Sequence, residues 1–363
     1  MIVTPFRRMA ARDDWAVDAL YPCREIFLAK AGRSGEPGSV MRKFDPFLLS
    51  LISAILLATL LPCRGVAAVM LHRLTFVLIA LMFFLHGARL EPRAVLESAR
   101  NWTLQSGVAA CTFVLFPLLG LGLMTAAGGL LDHDMWQGVL FLCCLPSTVQ
   151  SSIALTSIAR GNVPAAICAA TLSNLAGIVI TPILVALVLH RSGAFSAASI
   201  LDIATQLLLP FGMGQLLHTR LHKWVHRNKK LLTLSDRGAI VLVVYTAFSA
   251  AVVEGVWHRV SARDLLAAAG VDGVLLAIVL LVSSSLGRLL RLDLPGIIAL
   301  TFCGSKKSLA TGIPMANVLF PAAAVGTVVL PLMMYHQIQL FVCTLLARHL
   351  SRRPEPDPIS VHA

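Results

Sequence analysis

The sequence predicts an all-α polytopic membrane protein, and three observations predict it. The chain of 363 residues is 57% hydrophobic and 13% charged, with a mean hydropathy of +0.80, a composition foreign to soluble domains. A helix that crosses a bilayer needs about 20 mostly apolar residues, and roughly ten such windows follow one another along the chain. Barrel strands would appear as alternating segments of about 10 residues, and period-2 alternation is absent.

Taken in order, the ten spans are 46–62, 74–90, 104–128, 137–160, 163–189, 199–217, 238–256, 263–289, 295–318 and 322–347. The first is short at 17 residues, but Asp45 and Pro62 bracket it. The fourth and ninth are interrupted, by Pro146-Ser147-Thr148-Val149-Gln150-Ser151-Ser152 and by Gly304-Ser305-Lys306-Lys307-Ser308. A helix break facing lipid would leave backbone N–H and C=O groups without partners, so it survives only where protein or a water-filled cavity covers it. Broken helices at matching places in two halves are the best sequence pointer to a transporter's binding site.

The net charge of +12 is distributed as a topology signal. Arg42, Lys43, Arg89, Arg93, Arg100, Arg160, the run Arg220, Lys223, Arg227, Lys229, Lys230 and Arg237, then Arg288, Arg291, Arg348, Arg352 and Arg353 all fall on one side of a ten-span chain. The other side holds only Arg64, Arg73, Arg191, Arg259 and Arg263, with Asp132 and Asp134. Lys and Arg crowd cytoplasmic loops, so both termini are expected in the cytoplasm of a multi-pass protein of a bacterial-type inner membrane. Nucleic acid is not the expected partner; the lipid bilayer is. Lys306 and Lys307 are the basic residues that lie well inside a span rather than at its ends.

Residues 1–40 differ in character, with a Gly-Arg-Ser-Gly-Glu-Pro-Gly linker and no apolar leader core. They read as a cytoplasmic tail, and Met41 is an alternative start immediately before the first span. Residues 350–363 carry Pro354, Pro356 and Pro358 and read as a disordered tail. Of the eight cysteines most lie within spans and none forms a CxxC pair, so packing is expected of them rather than a disulfide framework.

An internal repeat starts from the breaks. Ser152-Ile-Ala leads to Asn162 and Pro164-Ala-Ala, and Ser308-Leu-Ala leads to Asn317 and Pro321-Ala-Ala. The second copy lies 156 residues on at the serines and 157 at the prolines. Each copy then holds five spans, in residues 41–190 and 191–349. An odd number of spans inverts the second copy in the membrane and places the site near the midplane, where the two broken helices cross.

The motifs Leu-Pro-Ser-Thr-Val-Gln-Ser-Ser-Ile-Ala (145–154), Ala-Arg-Gly-Asn-Val-Pro-Ala-Ala (159–166), Gly-Ser-Lys-Lys-Ser-Leu-Ala-Thr-Gly (304–312) and Met-Tyr-His-Gln-Ile-Gln-Leu (334–340) resemble those of the bile acid:sodium symporter-like family. The likeness is to its divergent branch, which includes the vertebrate solute carrier family 10 member seven and bacterial relatives, and it covers roughly residues 41–349. The resemblance implies two inverted five-helix repeats with crossed, discontinuous helices 4 and 9. It also implies a core bundle of helices 3–5 and 8–10 that moves against a panel of helices 1, 2, 6 and 7. In such relatives sodium is held by carboxylate, amide, hydroxyl and backbone oxygens at the crossing. The matching positions here are Ser147, Thr148, Gln150 and Ser151 on helix 4, and Thr171, Ser173 and Asn174 on helix 5.

Helix 9 departs from that pattern. Phe302 or a neighbour stands where the family's glutamate is expected, and Lys306-Lys307 occupy a break where amides are usual. A fixed ammonium at the crossing repels sodium by several kcal/mol at a low effective dielectric. Ser305, Lys306, Lys307 and Ser308 therefore join the candidate substrate- and ion-binding set. One lysine stands in for a cation or carries a proton, and the coupling ion stays open between Na⁺, H⁺ and none.

Asp272 in the eighth span is a candidate partner for these lysines or an interfacial residue. His336, Gln337 and Gln339 read as polar glue between helices. His218, His222 and His226 recur every fourth residue, but no carboxylate or thiol completes a metal set there. No zinc-protease motif, phosphate-cradling loop or Ser-His-Asp set is present, so no enzyme and no cofactor are expected. The function expected is a secondary transporter moving a small organic anion by alternating access. The alternatives are a membrane regulator of cation homeostasis and an uncoupled facilitator.

Overall fold

The computed structural model describes residues 46–89, 102–189, 208–253, 255 and 261–353. A short N-terminal unit runs through Ser50 and a large one from Leu51 onward; everything below from Leu51 on concerns the latter. The tail 1–40 and residues 354–363 lie outside the described residues.

Every regular element among the described residues is a helix. These are α1 (Pro46–Leu60), α2 (Gly65–Arg89), α3 (Trp102–Leu130), α4 (His133–Cys144), α5 (Gln150–Ile158) and α6 (Val163–Leu189). After a helical stretch at 208–216 come α7 (His218–Arg227), α8 (Lys229–Val253), α9 (Ala262–Leu289), α10 (Leu294–Gly304), α11 (Leu309–Leu319) and α12 (Ala322–Ser351). Six of them, α2, α3, α6, α8, α9 and α12, are long and apolar enough to cross a membrane. Their outer faces carry large apolar side chains such as Val66, Leu118, Leu187 and Leu266, as lipid rather than water requires.

The predicted fifth span and α6 share both bounds, 163 and 189. Two others begin earlier than hydropathy indicates. α2 starts at Gly65 rather than 74 and takes in His72 and Arg73, and α8 starts at Lys229 rather than 238. Long basic side chains bury their stems and keep their charge at the interface, so a charged residue near a helix end does not end the helix. The predicted sixth span falls partly outside the described residues; only 208–216 of it is seen, as helix.

Small residues set the close contacts. Leu104, Val108 and Cys111 of α3, Ala166, Ala169 and Ala170 of α6, and Ala299, Leu300 and Cys303 of α10 form one buried seam. Helices in lipid associate by such close packing. A Cβ on Gly214 would stand 1.9 Å from the carbonyl oxygen of Phe84, and one on Gly87 2.1 Å from that of Phe211, so the 208–216 stretch and α2 meet through paired glycines. α12 lies against α4, α5, α8, α9 and α11 and thereby backs both helix breaks.

Candidate functional site

The first break is written into the chain at Pro146. A residue before proline is driven out of the α region, and Leu145 is extended, with φ −76° and ψ 154°. α4 therefore stops at Cys144, and its last carbonyls lose their intrahelical donors. Pro146 has no N–H, and the N–H of Ser147 donates to Ser173 Oγ (3.1 Å) instead of back to Cys143. The freed oxygens are taken up from elsewhere. Thr181 Oγ1 donates to the Cys144 carbonyl at 2.9 Å, the Ser308 N–H donates to that of Pro146 at 2.9 Å, and Lys307 serves Cys143 and Leu145.

The second break separates α10 from α11. Its backbone is satisfied by side chains of the first break and of α12. Ser147 Oγ donates to the Cys303 carbonyl (2.6 Å) and Ser152 Oγ to that of Phe302 (3.3 Å). Tyr335 Oη donates to the Ser305 carbonyl at 2.8 Å. Gln339 spans Lys307 twice, accepting from its N–H at 2.9 Å and donating to its carbonyl at 3.0 Å. Ser308 then caps α11, its hydroxyl accepting from the Thr311 N–H. The two breaks thus complete each other, which is how irregular backbone persists at membrane depth.

Lys307 is fully buried. Its Nζ donates to three backbone carbonyls, Thr112 at 2.9 Å, Cys143 at 2.8 Å and Leu145 at 2.7 Å, and lies 3.9 Å from the centroid of the Phe116 ring. The Thr112 oxygen is free for a local reason. Residues Cys111–Leu115 make a π turn in which the Phe116 N–H reaches Cys111 rather than Thr112, and the next residue, Pro117, has no N–H to offer. Single π turns inside α-helices recur at functional sites.

Lys306 is equally buried but has spent none of its donors. Its Nζ has no hydrogen-bond partner, whereas Ser305 Oγ lies by the Cys343 thiol and the Asp272 carboxyl by the backbone of Tyr335. Asp272 pairs with neither lysine. An ion pair forms elsewhere, between Arg89 and Asp236 at 2.6 Å.

The other predicted residues divide. Thr148 Oγ1 lies 2.6 Å from Ser151 Oγ and 3.2 Å from Ser152 Oγ. Asn174 Oδ1 accepts from Thr311 Oγ1 at 3.0 Å, joining α6 to α11. Ser147, Ser173, Ser305, Lys306, Lys307 and Ser308 are all buried about the two breaks. Thr171 is half-buried, and Gln150 opens α5 on an exposed face rather than inside this group. Thr311 and Tyr335 join the group from the 304–312 and 334–340 motifs, and Thr112 and Phe116 join it without any sequence signal of their own. Of the histidine row, His218 is buried with its Nδ1 2.8 Å from the Ala88 carbonyl. The side chains of His222 and His226 lie outside the described residues, and among the described residues no metal-ligand cluster occurs.

A separate cavity of about 480 Å³ is lined by Arg64, His72, Arg73, Thr246, Ser249 and Asn317, among others. It contains none of the break residues, and its charged groups are all basic.

Residues 45–352 match the model of the SBF-like CPA transporter family. The chain is 51% identical over 311 residues to an uncharacterized protein of Pseudomonas aeruginosa, a match covering 85% of this chain and 93% of that one. It is 48% identical over 317 residues to the candidate symporter YfeH of Escherichia coli, covering 87% and 96%. Sodium/bile acid cotransporter 7 of Rattus norvegicus is 24% identical over 321 residues, covering 83% and 90%.

Proposed function

The chain belongs to the SBF-like CPA transporter family, and on that footing we propose that it is a secondary transporter of a small organic anion working by alternating access. The observation that carries this reading is Lys306. It presents a buried amine with no hydrogen-bond partner at a helix break beside a second helix break. An ionisable residue inside a membrane is costly, about 2.5–3.5 kcal/mol on the insertion scale, and functional by default. Its natural complement is an anion that brings acceptors. The cavity at Arg64, His72 and Arg73, whose charged groups are all basic, supports the same sign of cargo at the predicted outer side.

Two inverted five-helix repeats account for the bonds at the crossing. Ser147 and Cys303, bonded to each other, are 156 residues apart, the offset that separates Ser152 from Ser308 in the sequence repeat. Moving Pro146 and Ser308 by that offset gives Phe302 and Ser152, and both pairs are hydrogen-bonded. A pseudo-two-fold axis through Ser147 and Cys303 would carry one residue pair onto the other, with the backbone N–H as donor in Ser308 and the hydroxyl in Ser152. In this reading α3–α6 and α9–α12 form the moving core, α1, α2, the 208–216 stretch and α8 the panel. Both termini are cytoplasmic, and the protein resides in an inner membrane.

Lys307, held by carbonyls, supplies a built-in positive charge where a coupling cation would sit, and transport is therefore coupled to protons or uncoupled. The test is the melting temperature of the purified protein. Saturable stabilisation by a small organic anion, lost in Lys306→Ala, is expected, together with indifference to exchanging sodium for potassium at constant ionic strength. A saturable sodium-specific rise in the wild type would return the protein to sodium symport.

A further inference from the structure

The oxygens around Lys307 are arranged as ligands of a cation, and nothing about them requires that the cation be covalently attached. Three carbonyls, from Thr112, Cys143 and Leu145, converge on one nitrogen at 2.7–2.9 Å. Each is a carbonyl that its own helix has released, Thr112 by the π turn before Pro117 and the other two by the break at Pro146. The Phe116 ring face closes a fourth side, a surface that attracts cations through its quadrupole. Among the described residues no carboxylate takes part. Converging carbonyl dipoles in place of a hydration shell are the means by which selectivity filters hold monovalent cations.

We propose that these three carbonyls and the Phe116 ring form a monovalent-cation site permanently filled by the Lys307 ammonium, so that removing the side chain opens it to a free cation of potassium or ammonium size. The tethered ammonium keeps the crossing occupied in every salt. Nζ–O separations of 2.7–2.9 Å suit an ammonium, and three carbonyl dipoles aimed at one point favour a cation there. The proposal deepens the transport reading by naming what holds the crossing together, and it rests on the crossing's geometry rather than on any substrate.

The experiment compares wild type, Lys307→Ala and Lys307→Met in detergent, with melting temperature measured in potassium, ammonium, sodium and choline chloride at constant ionic strength. Wild type should be indifferent to the cation. Lys307→Ala should melt lower in choline and recover saturably with potassium or ammonium. Lys307→Met fills the vacated volume with an unbranched apolar chain, so it should melt below wild type in every salt and show no recovery.

A folded Lys307→Ala protein that ignores the cation overturns the proposal, and so does one that remains aggregated in ammonium and potassium as in choline. Equal cation response in Lys307→Ala and Lys307→Met places binding elsewhere and overturns it too. A Lys307→Met protein as stable as wild type does the same, because the carbonyls then need no cation. The readout is stability alone, so a negative result removes the coupling argument from Lys307 but leaves anion transport through Lys306 standing, and a failure to find transport leaves this site untouched.

Discussion

The hydroxyl of Ser147 donates to the carbonyl of Cys303 at 2.6 Å, joining the two helix breaks across 156 positions of chain. Ser147 also donates its backbone N–H to Ser173, so one small residue ties the first break to both α6 and α10. Ser147→Ala strands a fully buried carbonyl, a loss of about 1–3 kcal/mol. A lowered melting temperature is expected, and one matching wild type would show that water or a neighbour replaces the bond.

Gly177 of α6 lies against the proline of the first break. A Cβ there would stand 2.6 Å from Pro146 Cβ, inside van der Waals contact. Gly177→Val forces α6 away from the break and should cost about 1–3 kcal/mol by overpacking. The measurement is chemical or thermal unfolding in detergent beside Val179→Ala, an exposed neighbour on the same helix that should change little.

Gln339 satisfies both backbone groups of Lys307 and is buried, whereas Gln337 two residues earlier is exposed. Gln339→Leu should therefore destabilise by about 2 kcal/mol or more, with two backbone groups orphaned, while Gln337→Leu should fall within about 0.5 kcal/mol of wild type. Equal effects of the two substitutions would remove Gln339 from its role at the break.

Asp272 is fully buried beside the backbone of Tyr335 and pairs with neither buried lysine. Removing one partner of a buried ion pair is costly, but there is no charged partner here to strand. Asp272→Asn should keep or raise the melting temperature. A marked fall would reveal a partner that forms in the stable state. Loss of transport without loss of stability would mark Asp272 as a working group of the cycle.

Much of the fold was legible because lipid makes hydrophobic length a direct signal. The bounds of α6 and the breaks at Pro146 and Gly304–Ser308 could be read from runs of apolar residues and from their interruptions. Helix ends carrying Arg73 or Lys230 could not, since snorkelling side chains blur the boundary. At the site, Lys306 and Lys307 announced themselves as charges inside a span, but their division of labour did not. It depends on which carbonyls are released, and that depends on a π turn at Cys111–Leu115 in another helix. Thr112, whose backbone rather than side chain does the work, has no signature in its identity at all. Gln150, placed in the set by the family resemblance, lies on an exposed face.

The decisive measurement is counter-flow in proteoliposomes. The tracer is a small organic anion chosen by its stabilisation of the purified protein, and wild type is compared with Lys306→Gln. Wild type should show saturable, trans-accelerated exchange. Lys306→Gln should lose about 10- to 100-fold, as expected when a hydrogen bond to a charged group worth about 1.5–3 kcal/mol is removed, while melting at or above the wild-type temperature because an unpaired buried charge is gone. Counter-flow by Lys306→Gln at the wild-type rate would contradict an anion site at the crossing.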